Sequence, residues 1–478
     1  MEQTTFERIR AYLLAQKEEL TEQLCALVRV PSVRGEAKPH APFGEDCARA
    51  LCAVRDMYTA NGFSSALYAE EGYLLTEAGN PSGGKTIGLF AHADVVPAGE
   101  NWTVCAPFEP VVRDGWVFGR GSGDNKSGIL LSLCAAKAVR DLDLPLRSRL
   151  LLYTGSNEES GMADIRKFAE QQPMPEISLV PDNGYPVYRG EKGILRFWAE
   201  AGETVSDILS FDGGEAFNVV LGSFSVTLRD SDKLFAALSE KVKTEDNMTL
   251  TRDSGVLRLS VEGISAHASS PNGAVHGVFR AASVLAACEA LPAGDRALMR
   301  DAAALTRDCF GESFGIASKD PDFGVLTCAN GIAALHDGRP ALTFDIRYGT
   351  MWDSDVLENT IREKLASFGW SMVLESDRPG FALPDDDPRI RTILDAYNKC
   401  TGAKEEHARL SGGGTYARFL KPGFSFGHSV WRQLPVSLPA GHGGAHQPDE
   451  FASIDGLIEA AAIDLCIILA LDEQLYKD

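Results

Sequence analysis

Between residues 85 and 182 short apolar runs alternate with helix-patterned segments, and this limits the fold more than any other feature of the chain. "TIGLFAH", "RLLLYT" and "ISLVPD" read as strands, and "SGILLSLCAAKAVRDL" and "ADIRKFAEQQ" as the helices between them. Strands joined through helices pair in parallel, so the stretch predicts an α/β domain with a sheet flanked by helices. After "YPVYRGEKG" the pattern changes. "GVLRLSVEG" and "ALTFDIRYG" alternate apolar and polar residues as half-buried antiparallel strands do, with helical stretches such as "VHGVFRAASVLAACEA" between them. This middle section reads as α+β. "DRPGFALPDDDPRI" then reads as a linker, and helical patterning resumes from Ile390. A chain of 478 residues exceeds one compact core, which agrees with such a division.

The net charge of -21 argues against nucleic acid or an anionic membrane as partner, since both are polyanions. None of the ten cysteines forms a C-x-x-C pair, so neither a disulfide framework nor a thiolate metal site is expected. The N-terminal stretch is an amphipathic helix without an apolar leader core, and no segment is long enough to span a bilayer. A cytoplasmic protein is the expectation.

"LLYTGSNEESG" sets Glu158 and Glu159 side by side after a strand, where two carboxylates repel. An acidic first helical turn would explain the pair alone. Three further stretches weigh against that. "GLFAHADVVPAGENW" ends a strand at His92, with Asp94 facing the same way, and a carboxylate beside an imidazole is a common support for a metal ligand. "GRGSGDNKSG" delivers Asp124 just ahead of a helix but matches no phosphate-binding loop, and an anion site would reject that Asp. "SLVPDNGYP" places Asp182 after another apolar run. The carboxyl ends of parallel strands converge on one rim, where open α/β sheets bind their ligands. Four acidic groups and an imidazole gathered there would repel strongly without divalent cations, and such a donor set suits Zn²⁺, Mn²⁺ or Co²⁺.

Together "HADVVPAGENW", "FGRGSGDNKSG", "TGSNEESG", "PDNGYPVYRGEKG" and "GGAHQPDE" resemble, in order, the motifs of the two-metal family of aminoacylases, glutamate carboxypeptidases and succinyl-diaminopimelate desuccinylases. "GGGTYAR" and the long middle section bring the resemblance nearest to the bacterial PepV-type and Sapep-type dipeptidases. It implies a discontinuous α/β catalytic domain, with a mixed sheet flanked by helices, from residues 1–190 and 385–478. Residues 191–384 would form an inserted α+β lid, enough for two related units. One metal would be held by His92 and Asp182 and the other by Glu159 and His446, with Asp124 bridging. Asp94 would orient His92, and Glu158 would be the general base. His267 would donate to the oxyanion, while Arg347, Asn218 and Gly414 would contact substrate. Zn²⁺ is the first expectation for both sites.

The sequence departs from the family pattern at Asn125, where Asp is usual, at Ser127-Gly128 in place of Gly-Pro, and at Leu221 in place of Pro. The stretch leading to "GGAHQPDE" is long and adds His428, Trp431 and His442, of which His442 is a fallback ligand. His40, His276, His336 and His407 read as structural or surface residues. The leading function is hydrolysis of dipeptides with a free N-terminus. An N-acyl amino acid deacylase or carboxypeptidase is the alternative, and a non-catalytic metal- or peptide-binding protein a remote one. The lid of the shorter, dimeric relatives is about half as long, so a monomer supplying its own His267 is expected.

Overall fold

The computed structural model describes residues 2–214, 216–404, 406–430, 434 and 437–477, so Trp431 lies outside the described residues. It divides into two compact units. The first is Met1–Gly190, Leu383–Arg409 and Thr415–Asp478, and the second is Glu191–Ala382 and Leu410–Gly414.

In the first unit six strands form the body of a mixed sheet: β1 (Ser65–Tyr68), β2 (Tyr73–Gly79), β3 (Thr86–His92), β4 (Arg149–Gly155), β5 (Ile177–Asn183) and β6 (Gly423–Gly427). Their spatial order is β1-β2-β4-β3-β5-β6. The pairs β1–β2 and β2–β4 are antiparallel, and the pairs along β4-β3-β5-β6 are parallel. The three parallel strands read from sequence lack alternation because helices cover both faces. β3 is buried from Ile87 through His92. The helix Lys126–Asp141 is buried on every side from Lys126 to Val139. Together with Ile454–Leu475 it packs Ile129, Leu133, Ile463 and Ile467 into the core that also holds Leu89, Leu152 and Leu179. The register pairs His92 with Gly155 and Phe426 with Pro181, so β3 to β6 end on one rim.

The second unit is α+β and holds two principal sheets. One runs Ile208–Asp212, Phe224–Arg229, Val256–Val261, Met248–Asp253, all antiparallel. The other runs Thr327–Ala329, Arg339–Tyr348, Gly193–Ala201, Trp370–Arg378, with Ala333–His336 paired to its second strand. Phe197 and Phe344 of one sheet and Phe211 and Phe224 of the other share a single core. An α/β unit with a mixed sheet and an α+β unit are the fold class read from the sequence.

The residues leading back into the first unit end at a capped helix. Asp387 accepts a hydrogen bond from Arg389 N at 2.9 Å and Pro388 opens Pro388–Thr401, the usual grammar of a helix start. Leu410–Gly414 clusters with the second unit, a detail the helical patterning after Ile390 did not signal. Ser411 O accepts from Lys192 N at 2.9 Å, and Gly412 O from Arg347 Nη1 at 3.2 Å.

Candidate metal centre

The adjacent glutamates leave β4 on a loop whose amides are held by carboxylates. Asp164 Oδ2 accepts from Ser156 N at 2.7 Å and Asn157 N at 2.9 Å. Asp94 Oδ1 and Oδ2 accept from Glu158 N and Glu159 N, each at 3.1 Å. Four successive N–H groups therefore point at two acids, which turns the backbone so that neighbouring side chains can diverge. Asp94 meets the His92 imidazole twice: Nδ1 donates to its main-chain carbonyl at 2.9 Å and lies 3.5 Å from its carboxylate, which also serves the glutamate loop.

Asp124 is presented by a turn built in a similar way. Glu450 is buried, and its Oε1 accepts from Gly121 N at 3.1 Å, Gly123 N at 2.9 Å and Asp124 N at 3.0 Å. Its Oε2 pairs with the buried Arg120 at 2.6 Å, and Arg120 also donates to Gln447 O and Ala98 O. Glu450 thus ties the Asp124 turn to the loop that carries His446. That loop is fixed again by Asp449, which accepts from Thr103 N at 2.8 Å, Thr103 Oγ1 at 2.6 Å and Val104 N at 2.9 Å. The fallback ligand His442 is committed to Asp449 Oδ2 at 2.7 Å. Asn125, where the family commonly has Asp, donates to Asp182 Oδ1 at 2.7 Å and Pro181 O at 2.6 Å. An Asp there would instead face that carboxylate with like charge.

These turns bring five sequence-identified side chains together. Asp124 turns one oxygen to each imidazole: Oδ1 lies 3.2 Å from His92 Nε2, and Oδ2 3.2 Å from His446 Nε2. Asp182 Oδ2 is 3.7 Å from His92 Nε2, and Glu159 Oε2 is 3.1 Å from His446 Nε2. Donor atoms around one cation at roughly 2.1 Å stand about 3 to 3.5 Å apart, so this spacing fits two cation positions sharing Asp124. Glu158 also comes within 4.8 Å of the His92 and Asp182 donor atoms. Proximity therefore does not separate it from the ligands. Glu159, by contrast, has a 3.1 Å partner in His446.

The electrostatics point the same way. Burial pushes the Glu158 and Asp182 carboxyls well above the usual carboxylate range, with Asp182 and Asp124 respectively adding to the rise. Burial also raises Glu159, with Asp124 adding to it. The carboxylates of Asp124 and Glu159 push the His446 imidazole up to about 11. Burial pulls the His92 imidazole down, but Asp124 and Asp94 overcome this and hold it well above its usual value. Among the described residues, His92 Nε2 meets only the carboxylates of Asp124 and Asp182, and Glu158 Oε1 and Glu159 Oε1 are buried without a hydrogen-bond partner. Divalent cations would meet all three needs, so the residues fit the group. His428, one residue past β6, belongs to the same rim, and burial pushes its imidazole below the ordinary value.

The second unit holds the other candidates. His267 lies on a bridge to Val219, with Ala268 N donating to Asn218 O at 2.9 Å. Its Nδ1 accepts from Ser269 N at 3.2 Å, so in the neutral ring the proton sits on Nε2. Gly412 packs on Ser269, where an added Cβ would come 3.3 Å from the serine Cβ, which brings the glycine run containing Gly414 to the His267 hairpin. Arg347, a candidate substrate contact, is buried, and its Nε and Nη2 are both taken by the buried Asp345. His276 caps Gly277–Ala286, and His336 pairs with Glu200 at 2.8 Å, both structural positions.

The Peptidase family M20/M25/M40 model matches residues 88–470. "Putative dipeptidase YtjP" of Bacillus subtilis is 28% identical over 464 residues, covering 94% of this chain and 96% of that protein. A "Putative dipeptidase" of Staphylococcus epidermidis is 25% identical over 476 residues, covering 96% and 98%. Among solved structures, human carnosine dipeptidase 1 superposes with a TM-score of 0.60 at 16% identity, covering 98% of this chain and 99% of that one, which shows a shared fold. With the matched region running from within β3 into the last helix, and so spanning the residues that converge on the rim, the chain belongs to the M20/M25/M40 peptidase family.

Proposed function

We propose that the protein is a metal-dependent dipeptidase acting on small dipeptides with a free N-terminus. The observation that carries the reading is Asp124, whose two oxygens each face one imidazole at 3.2 Å. His92 and Asp182 would hold one divalent cation and Glu159 and His446 the other, with Asp124 between them. Zn²⁺ is the leading ion and Mn²⁺ or Co²⁺ the alternatives. When bound, the cations supply Lewis-acid polarisation of the scissile carbonyl and ease ionisation of the attacking water. Glu158 takes the proton from that water. As the peptide C–N bond breaks, Glu158 delivers the proton to the departing amine nitrogen. His267 donates Nε2–H to the developing oxyanion. Asn218, Gly414 and Arg347 would contact the rest of the substrate.

The deciding experiment compares matched free and N-acetylated dipeptides on metal-loaded protein. Hydrolysis of the free peptide at about 100 times the kcat/KM of its acetylated partner, or more, is expected. Preference for the acetylated peptide would make the protein a deacylase.

The same reading takes the chain to be a cytoplasmic monomer, with residues 1–190 and 385–478 catalytic and 191–384 inserted. It makes no use of nucleic acid or membrane. Among the described residues no helix is long and apolar enough to cross a membrane. Mixing Glu158→Ala with His267→Ala should restore no activity, because each chain uses its own histidine. Recovery in the mixture would show a histidine acting across subunits.

A further inference from the structure

Tyr416 and Asp164 lie beside the cluster, and neither is a candidate ligand. Both are fully buried. The Tyr416 hydroxyl donates to Asp164 Oδ2 at 2.5 Å, the same oxygen that receives Ser156 N and Asn157 N. Asp164 Oδ1 accepts from Ile165 N at 2.8 Å. The tyrosine ring is wedged in place, since it packs edge-on against Tyr153 at 5.5 Å and His92 at 6.3 Å, with Phe90 tilted and Phe168 edge-on against Tyr153. Gly155 completes the arrangement. A Cβ there would come 2.0 Å from Tyr416 Oη and 2.3 Å from Asp164 Oδ2, so the pair occupies the space a side chain would need.

We infer that Tyr416 and Asp164 are positioning residues for the general base, an inference that rests on Glu158 having that role. Asp94 fixes only the last two amides of the 156–159 loop. Asp164 fixes the first two, and the chain cannot hold the Glu158 carboxylate still unless both halves are pinned. Among the described residues Tyr416 supplies a side-chain donor to Asp164 Oδ2 beyond those amides, a charge-assisted bond that sets where the carboxylate sits. Without it Asp164 stays bonded to three amides, so the fold persists while the loop start gains freedom. A loosened base lowers the rate of the chemical step, not substrate binding.

The test is Tyr416→Phe, with Asp164→Asn as a second variant. Tyr416→Phe is expected to lower kcat about 10-fold, with KM, bound metal per chain and Tm close to the parent, as befits one charge-assisted hydrogen bond. Asp164→Asn sets an amide NH₂ or a weaker acceptor against two N–H donors, and about 100-fold in kcat is expected if it folds. An unchanged kcat in Tyr416→Phe, or a fall accompanied by lost metal or a lowered Tm, overturns the inference. Glu158→Ala, run beside them, separates the two levels. If it stays active the general-base reading fails, whereas if it is dead and Tyr416→Phe is unimpaired only the positioning role fails.

Discussion

Glu158→Ala should lose at least about 10³-fold in kcat while still binding two divalent ions per chain, and Glu159→Ala should lose an ion as well as activity. The two residues are neighbours on one loop, and both amides are bonded to Asp94 at 3.1 Å, so substitution of either disturbs the backbone to a similar degree. Their side chains differ. Glu159 meets His446 at 3.1 Å, where it would share an ion, whereas Glu158 is the more deeply buried and its carboxyl is driven up by burial. A residue that carries a proton between water and amine is replaceable for metal binding but not for turnover. Metal content measured by plasma mass spectrometry on both variants decides the division. Equal metal loss in the two would place Glu158 among the ligands, as its position within 4.8 Å of the His92 and Asp182 donor atoms permits.

Asp124→Ala is expected to reduce activity to background and to weaken both ions, whereas His446→Ala should weaken one. The reason is geometric, since Asp124 faces both imidazoles and would serve both positions, whereas His446 would serve only the one shared with Glu159. The turn should survive, because Glu450 holds its main chain through amides that do not involve the Asp124 side chain. Losing a bridging carboxylate should lower metal affinity by more than the roughly 10- to 100-fold seen for supporting groups. The histidines also give the binding a pH sign. With no cation bound both imidazoles are held protonated above their usual values, so ions must displace protons, and affinity falls as pH falls. Calorimetry in two buffers of different ionisation enthalpy reads that release. Retention of both ions by Asp124→Ala would remove the bridge.

The rim was legible because parallel strands leave few options. His92, Asp124, the glutamate pair and Asp182 each follow an apolar run or open a helix, and topology carries them to one edge. His446 was not legible that way. It lies far along the chain on a left-handed turn at φ 65°, and only the motif "GGAHQPDE" indicated it. Asp164, Glu450 and Tyr416 were present in the quoted motifs or beside them, yet their work is to accept or give hydrogen bonds within loops. A sequence shows the acid without showing which amides turn toward it. Arg347 is a different case. The strand Arg339–Tyr348 lies between two others and is buried from Pro340 onward on both faces, so its polar alternation marks an internal ion pair with Asp345, not a solvated face.

The most direct measurement strips the protein of metal and restores a divalent ion in increments, following hydrolysis of a free dipeptide against bound ions per chain. A cluster in which Asp124 joins two positions should give a rate that climbs and levels off at two ions per chain, with little activity when metal-free. Full activity without metal, or a plateau at one ion, would contradict it.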